Sequence, residues 1–254
     1  DIFVLESLYP LSFGAQVIVA NEKEQLNATD FNTLCLNNNV NIFQTTPSRI
    51  QTFLTTSNLD FIKNCSKILI GGEPFPTTLL NDLKRLTDAS IYNMYGPTET
   101  TVWSSLKMLD KPNSITIGKP IINTQIYILN NDLSPLPIYV PGDIYISGDG
   151  VGKGYLNNKE LTDKVFINNP FSDNSIMYKT GDIGYFNESG EIICLGRSDN
   201  QIKVRGQRIE LGEIENVIQE YPNINKCVVV KHSPNNKEFL TCYFTATQKI
   251  KIND

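Results

Sequence analysis

Several short strings of this sequence place hydroxyls, carboxylates and guanidinium groups where turns present them. In NMYGPTETT, Asn93 to Thr101, Gly96–Pro97 forces a loop and Thr98, Glu99, Thr100 and Thr101 follow at once. That order suits a phosphate ester held with a divalent cation. A Thr hydroxyl donates to a phosphate oxygen, and a carboxylate holds Mg2+ against it. Tyr95 offers a flat face for a base. In YKTGD, Tyr178 to Asp182, the Asp182 carboxylate can accept two hydrogen bonds from ribose hydroxyls, because both oxygens are available. GRSDNQIKVRGQRIELGEIE, Gly196 to Glu215, gathers Arg197, Lys203, Arg205 and Arg208. A phosphate-bearing ligand explains so many cations better than a solvated face does. Each string has a plainer alternative: a strand-to-turn connection with a surface Glu99, or a turn in which Asp182 caps its own backbone.

Two further strings are rich in glycine. In GGE, Gly71 to Glu73, the glycines let a ligand approach the backbone, or they simply turn the chain before a helix at Pro76. GDIYISGDGVGKGYL, Gly142 to Leu156, lacks both a GxGxxG after a strand and a GK[ST]. It is read as tight turns and bulges. The one histidine, His232, stands between a Val run and a turn, which suits a strand end and excludes chemistry built on His pairs. Five cysteines, odd in number and never spaced CxxC, imply neither a disulfide frame nor zinc and read as small buried apolar residues.

The elements that must position these groups fall into three styles. Up to about residue 105, strands alternate with helices. Ile42–Phe43 and Lys67 to Ile70 are short buried strands. Leu34 to Leu36 and Ile50 to Leu54 lie in helices, the second capped by Ser48 after Pro47. Pro76 to Leu86 is a helix with Leu79, Leu80, Leu83 and Leu86 on one side. This alternation predicts a largely parallel sheet covered by helices. From Ile115 to Leu195, short alternating segments between Gly, Pro and Asn predict an antiparallel sheet or small barrel. After Arg197 come a strand in QIKVRG, a helix and a hairpin. Leu211, Ile214, Val217, Ile218 and Tyr221 share one face of that helix, and CVVVKHS pairs with EFLTCYFTA across PNNK. The expected organisation is a mixed α/β core over 1–197, with an α/β part at 1–105 and a β-rich part at 115–197. The beginning of a small α+β subdomain follows over 198–254.

Composition narrows the function classes. The chain has 254 residues, 40 % hydrophobic and 19 % charged, which excludes wholesale disorder. Its net charge of −5 argues against broad binding to nucleic acid or anionic membranes. No apolar run approaches the roughly 20 residues of a membrane span. With reduced cysteines and no leader, the expected compartment is the cytoplasm.

In this order, GGE, NMYGPTETT, GDIYISGDGVGKGYL, YKTGD and GRSDNQIKVRGQRIELGEIE resemble the adenylate-forming superfamily, and within it the amino-acid adenylation domains of nonribosomal peptide synthetases. The resemblance implies that an amino-acid carboxylate attacks the α-phosphate of ATP with Mg2+, and that the acyl group then passes to the phosphopantetheine thiol of a peptidyl carrier protein. Carried over by position, Tyr95 resembles the residue that stacks on adenine, and Gly71 and Gly72 those whose backbone nears the base and substrate. Thr98 would contact the α-phosphate and Glu99 the Mg2+. Asp182 would bind ribose, with Arg197 beside it. Asp199 matches the hinge of the mobile C-terminal subdomain, and Gly206 the pantetheine path.

By the same resemblance, Asp1 pairs with the substrate's amino group. The pocket walls are Ile2, Leu5, Gln44, Leu69, Gly71, Met94, Val102 and Trp103. Asp1 is their one charge, and Leu5, Met94 and Trp103 fill the room a larger side chain needs, so the pattern resembles glycine-selecting pockets, with alanine second. Three departures go with it. The family's phosphate loop would precede Asp1, its C-terminal lysine would follow Asp254, and Asp143 stands where Glu is usual. A chain cut at both ends in this way is expected to be catalytically incomplete alone. The competing readings are a free-standing amino-acid or acyl ligase, and a non-catalytic nucleotide-binding or docking module.

Overall fold

The computed structural model describes residues 2–110, 115–199, 201–204, 207–232 and 239–248. The chain divides into two units, Asp1–Gly196 and Arg197–Asp254.

The first unit begins with a π-helical turn, Val4–Leu8, running into α1 (Tyr9–Ser12). Asparagines start the next two helices. Asn21 forms a reciprocal capping box with Glu24 on α2 (Glu22–Leu26), and the Asn27 side chain accepts from Thr29 and Asp30 at the head of α3 (Ala28–Asn37). Then β1 (Ile42–Thr45), α4 (Pro47–Thr56), a 3-10 turn (Asp60–Asn64), β2 (Lys67–Gly71), α5 (Thr77–Leu86) and β3 (Ser90–Tyr95) form the predicted alternation. β1, β2 and β3 pair in parallel in that order. β4 (Ser105–Met108) and β5 (Lys119–Pro120) extend the sheet antiparallel. On α5, Leu79, Leu80 and Leu83 are fully buried, each stabilising by about 1.5–3 kcal/mol. Leu86, in the last turn, is 39 % exposed and leaves the predicted stripe. Phe31, Phe43, Phe53 and Phe61 pack as an aromatic cluster beneath the sheet, with the Arg49 guanidinium over Phe31 and Phe53.

One predicted cap is corrected. Thr46, not Ser48, caps α4 by accepting from the Arg49 amide. Ser48 lies within the first turn because Glu73, 25 residues on, takes both its amide and its hydroxyl, at 3.0 and 2.8 Å. A partner that distant leaves no local trace in the sequence.

The β-rich part is an open antiparallel sheet, not a barrel. β6 (Thr124–Leu129) and β7 (Gly142–Gly148) precede α6 (Lys159–Val165). β8 (Phe166–Asn168), β9 (Ile176–Phe186) and β10 (Ile192–Arg197) follow it. The order is β10-β9-β7-β6, with β8 also on β9. Closure fails because the outer edge of β10 is taken by the chain leading into β5: Ile117 donates to Ile192, and Ile192 to Gly118. That contact stitches the two sheets together. Ile126 faces Ile146 and Ile128 faces Ile144 in register, forming the core between them and Ile117 and Ile192.

In the second unit, β11 (Gln201–Val204) and β12 (Gln207–Glu210) pair antiparallel. α7 (Leu211–Gln219) packs on β13 (Ile224–His232), which pairs with β14 (Phe239–Ala246) as the predicted hairpin. Leu211, Ile214 and Ile218 are the less exposed apolar positions of α7, whereas Val217 and Tyr221 are exposed, so the packed stripe is narrower than predicted. His232 stacks on Phe239 at the strand end. Among the described residues no disulfide is formed, and no helix is long and apolar enough to cross a membrane.

Candidate functional site

Period-2 alternation divides β1, β2 and β3 into two faces. Phe43, Ile68, Ile70 and Ile91 point into the core. Gln44 pairs in register with Leu69, and Gly71 with Met94, so these four side positions share the opposite face near the strands' carboxyl ends. Ligand crevices in open α/β sheets occur at such ends.

Trp103 closes this face. The residue is 7 % exposed, and its indole lies against Gly71. A Cβ on Gly71 would stand 2.5 Å from the Met94 carbonyl oxygen and 2.5 Å from Trp103 Cη2, so no larger residue fits there. The indole Nε1 donates to Gln44 Oε1 at 3.1 Å, and Gln44 Nε2 donates to Glu6 Oε1 at 2.9 Å. Glu6 was not singled out in the sequence, where it is one more helical acid. Ile2 and Leu5 lie on the same N-terminal turns, Ile2 at 37 % exposure. Gly72, just past β2, has φ +86°, which favours glycine whatever the available space.

Trp103 is placed by a tight loop after β3. Thr98–Thr100 form a 3-10 turn, and Thr101 and Val102 follow with φ +63° and +67°, strained values for β-branched residues. Hydrogen bonds from outside hold the strain. Ser104 donates to the Tyr95 carbonyl, Thr101 Oγ1 to the Gly150 carbonyl at 2.7 Å, and the Gly152 amide to the Glu99 carbonyl at 2.8 Å. A Cβ on Gly150 would come 2.7 Å from the Thr100 carbonyl oxygen. The glycine-rich string is therefore structural, as predicted, but its tight turns clamp the TETTVW loop.

Glu99 is buried, and Tyr155 Oη donates to its Oε1. Tyr155 is anchored by its amide on Thr162 Oγ1 and by an edge contact with Phe166. It escaped the sequence reading because a lone tyrosine after glycines carries no spacing signal. Thr98 is exposed at the head of the turn. Among the described residues no cluster of three or more His, Cys, Asp or Glu could hold a metal. One carboxylate nevertheless fits Mg2+, which takes few protein ligands and completes its shell with phosphate oxygens and water.

Asp182 is aimed by a bulge. Opposite β7, the register of β9 slips between Asp143 and Tyr145, which pair with Ile183 and Lys179. Thr180, Gly181 and Asp182 thus stand out from the ladder. Thr180 Oγ1 bonds the Ile144 carbonyl and receives the Asp182 amide, while Gly181 supplies φ +78°. Asp143 pairs with Lys179 at 2.8 Å beside the bulge. Asp182 Oδ2 accepts the Tyr95 phenol at 2.5 Å, uniting two motifs 87 residues apart. Burial, and then the Asp182 charge, push the Tyr95 pKa well above its usual value, so the phenol stays a donor.

Arg197 and Asp199 belong to the second unit, where Nε and Nη2 of the guanidinium donate to the two carboxylate oxygens at 2.7 Å each. Asp1, Arg205 and Gly206 lie outside the described residues, as does the Arg208 side chain.

The family model for AMP-binding enzymes matches residues 1–156. The dimodular nonribosomal peptide synthase of Bacillus subtilis (strain 168) is 38 % identical over 98 % of this chain, which spans 11 % of that protein. Tyrocidine synthase 3 of Brevibacillus parabrevis is 36 % identical over 99 % of the chain, which spans 4 % of its length. A solved four-domain nonribosomal peptide synthetase bound to AMP and glycine superposes with a TM-score of 0.74 at 35 % identity, over 99 % of this chain and 19 % of that one. A solved nonribosomal peptide synthetase protein containing adenylation and carrier domains, bound to a vinylsulfonamide inhibitor, gives a TM-score of 0.81 at 25 % identity, over 87 % and 40 %. Motif order, fold and relatives agree: the chain belongs to the AMP-binding enzymes of the adenylate-forming superfamily, as an adenylation domain similar to those of nonribosomal peptide synthetases.

Proposed function

We propose that this domain activates glycine. A carboxylate oxygen of the amino acid bonds to the α-phosphorus of ATP, the bond to the β-phosphate bridge breaks, and pyrophosphate leaves. The carrier's phosphopantetheine sulfur then attacks the acyl carbon, AMP departs, and the thiol proton goes to solvent. Asp182, aimed by its bulge and held by Tyr95, takes the ribose hydroxyls. The Tyr95 ring flanks adenine, with the Gly71–Gly72 backbone beside it. Thr98 donates to the α-phosphate. Glu99, oriented by Tyr155, would hold Mg2+, which would offset charge on the phosphate oxygens. Asp1 pairs with the substrate amine, and Ile2, Leu5, Gln44, Leu69, Met94, Val102 and Trp103 enclose its α-carbon. Arg197 serves the nucleotide. Asp199 is the hinge of the C-terminal subdomain, and Gly206 lines the pantetheine path.

The observation that carries glycine is the Trp103 indole resting on Gly71, which leaves the sheet face little room for a side chain. That the four-domain synthetase bound to AMP and glycine is 35 % identical supports it. Calorimetric titration of the chain with a non-hydrolysable glycyl-adenylate mimic, against a phenylalanyl control, tests the reading. Binding of the glycyl compound alone is expected. Equal binding of both would refute glycine selection, and binding of neither would leave a non-catalytic module as the better account of this chain.

A further inference from the structure

The three-residue chain Glu6–Gln44–Trp103 has a chemical polarity. An ionised carboxylate only accepts hydrogen bonds, an indole N–H only donates, and a primary amide does one at each end. Between them, Gln44 therefore has one orientation that satisfies both neighbours: the amide nitrogen towards Glu6 and the oxygen towards Trp103. The observed bonds, 2.9 Å to Glu6 Oε1 and 3.1 Å from Trp103 Nε1, have that sense. Turned over, the amide would set its NH2 against the indole N–H, and the indole would lose its acceptor in a nearly closed position. Glu6 sits inside the π-helical turn Val4–Leu8, where the Tyr9 amide reaches back to the Val4 carbonyl. Single π turns recur at functional sites. Partial burial raises the Glu6 pKa, while the Gln44 bond and the Arg49 charge oppose that rise.

We infer that Glu6 is a positioning residue for substrate size: by fixing the sense of the Gln44 amide, it pins the Trp103 indole against Gly71. It acts through two side chains, Gln44 and then Trp103. The consequence for selectivity rests on the proposed function; the effect on the indole does not.

Trp103 is the single tryptophan, so one indole N–H resonance reports the link directly. In the 15N-labelled chain, Glu6→Ala is expected to move that resonance and to speed its exchange with water about fivefold, the worth of one net hydrogen bond. Glu6→Met keeps most of the side-chain volume but offers no comparable acceptor, and is expected to move the resonance as Glu6→Ala does, an outcome that a mere packing role does not predict. In pyrophosphate exchange by the full-length protein, the preference for glycine over alanine should fall about tenfold in Glu6→Ala, chiefly through a lower KM for alanine. An unmoved resonance in a folded Glu6→Ala variant would overturn the inference. If that variant does not fold, Gln44→Leu reads the link from its middle, and an unmoved resonance there overturns it equally. A moved resonance with no preference for glycine in the wild-type protein would sink the substrate reading and leave the positioning role standing.

Discussion

The exposed face of β1–β3 and the loop from Gly96 to Ser104 meet at Trp103, yet different forces hold them. On the sheet, strand register does the placing: once Phe43, Ile68, Ile70 and Ile91 are buried, Gln44, Leu69, Gly71 and Met94 must face the other way. In the loop, register is gone and the backbone adopts strained angles at Thr101 and Val102, fixed by partners about 50 residues away at Gly150 and Gly152. Packing therefore defines the wall of this sheet face, and hydrogen bonds define the polar side. The wall should fail through added volume, and the polar side through loss of single donors.

The largest effect is expected from Gly71→Ala. Its methyl has no place between the Met94 carbonyl and Trp103, so the indole must leave. Glycine activation should drop at least about a hundredfold, with about 1–3 kcal/mol of overpacking cost read from thermal unfolding. A variant of wild-type activity would show that the wall yields, and the contrast would collapse. Asp182→Asn comes next. It keeps the shape but removes the charge facing Tyr95, so AMP affinity in calorimetry should weaken about tenfold while stability stays near wild type. Its Tyr95 phenol should titrate lower than in the wild type, because the Asp182 charge no longer opposes ionisation. Tyr155→Phe removes one donor from Glu99 and should cost about fivefold in exchange rate, partly recovered at higher Mg2+.

A separate effect concerns the core alone. Burial pushes the Cys35 thiol up to about 12 and Cys65 to about 11, from an ordinary 9.0. Both should resist alkylation at pH 8 until the protein unfolds. Since the unfolded thiols ionise first, the stability these groups contribute is whole below pH 9 and declines as pH rises towards 11–12. Denaturant midpoints taken across that window should drift downward.

What the sequence made legible follows the same division. The alternation of strands and helices needs only local pattern, and it placed the parallel core. Gln44, Leu69, Gly71 and Met94 were singled out by the resemblance to the family, and the strand register then sets them on one face. The Tyr95–Asp182 bond was not legible, because it depends on a bulge that re-aims Asp182 across 87 residues. Tyr155 and Glu6 were missed for the same reason, since their partners lie 56 and 38 residues away. Ser48 was misread as a cap because Glu73 reaches it from the next strand's end. The barrel was overpredicted because short alternating strands say nothing of edges, and the edge of β10 is taken by Ile117 and Gly118.

The two-faced construction of β1–β3 also has an evolutionary reading. Residues on the outside of this sheet alternate along each strand with those buried in the core. A lineage could therefore exchange Gln44, Leu69 or Met94 without disturbing Phe43, Ile68, Ile70 or Ile91. Gly71 and Trp103 escape that independence, because each occupies the volume the other needs. Diversification would proceed in single steps at Leu69 and Met94, in paired steps at Gly71 and Trp103, and at Gln44 only together with its partners Glu6 and Trp103.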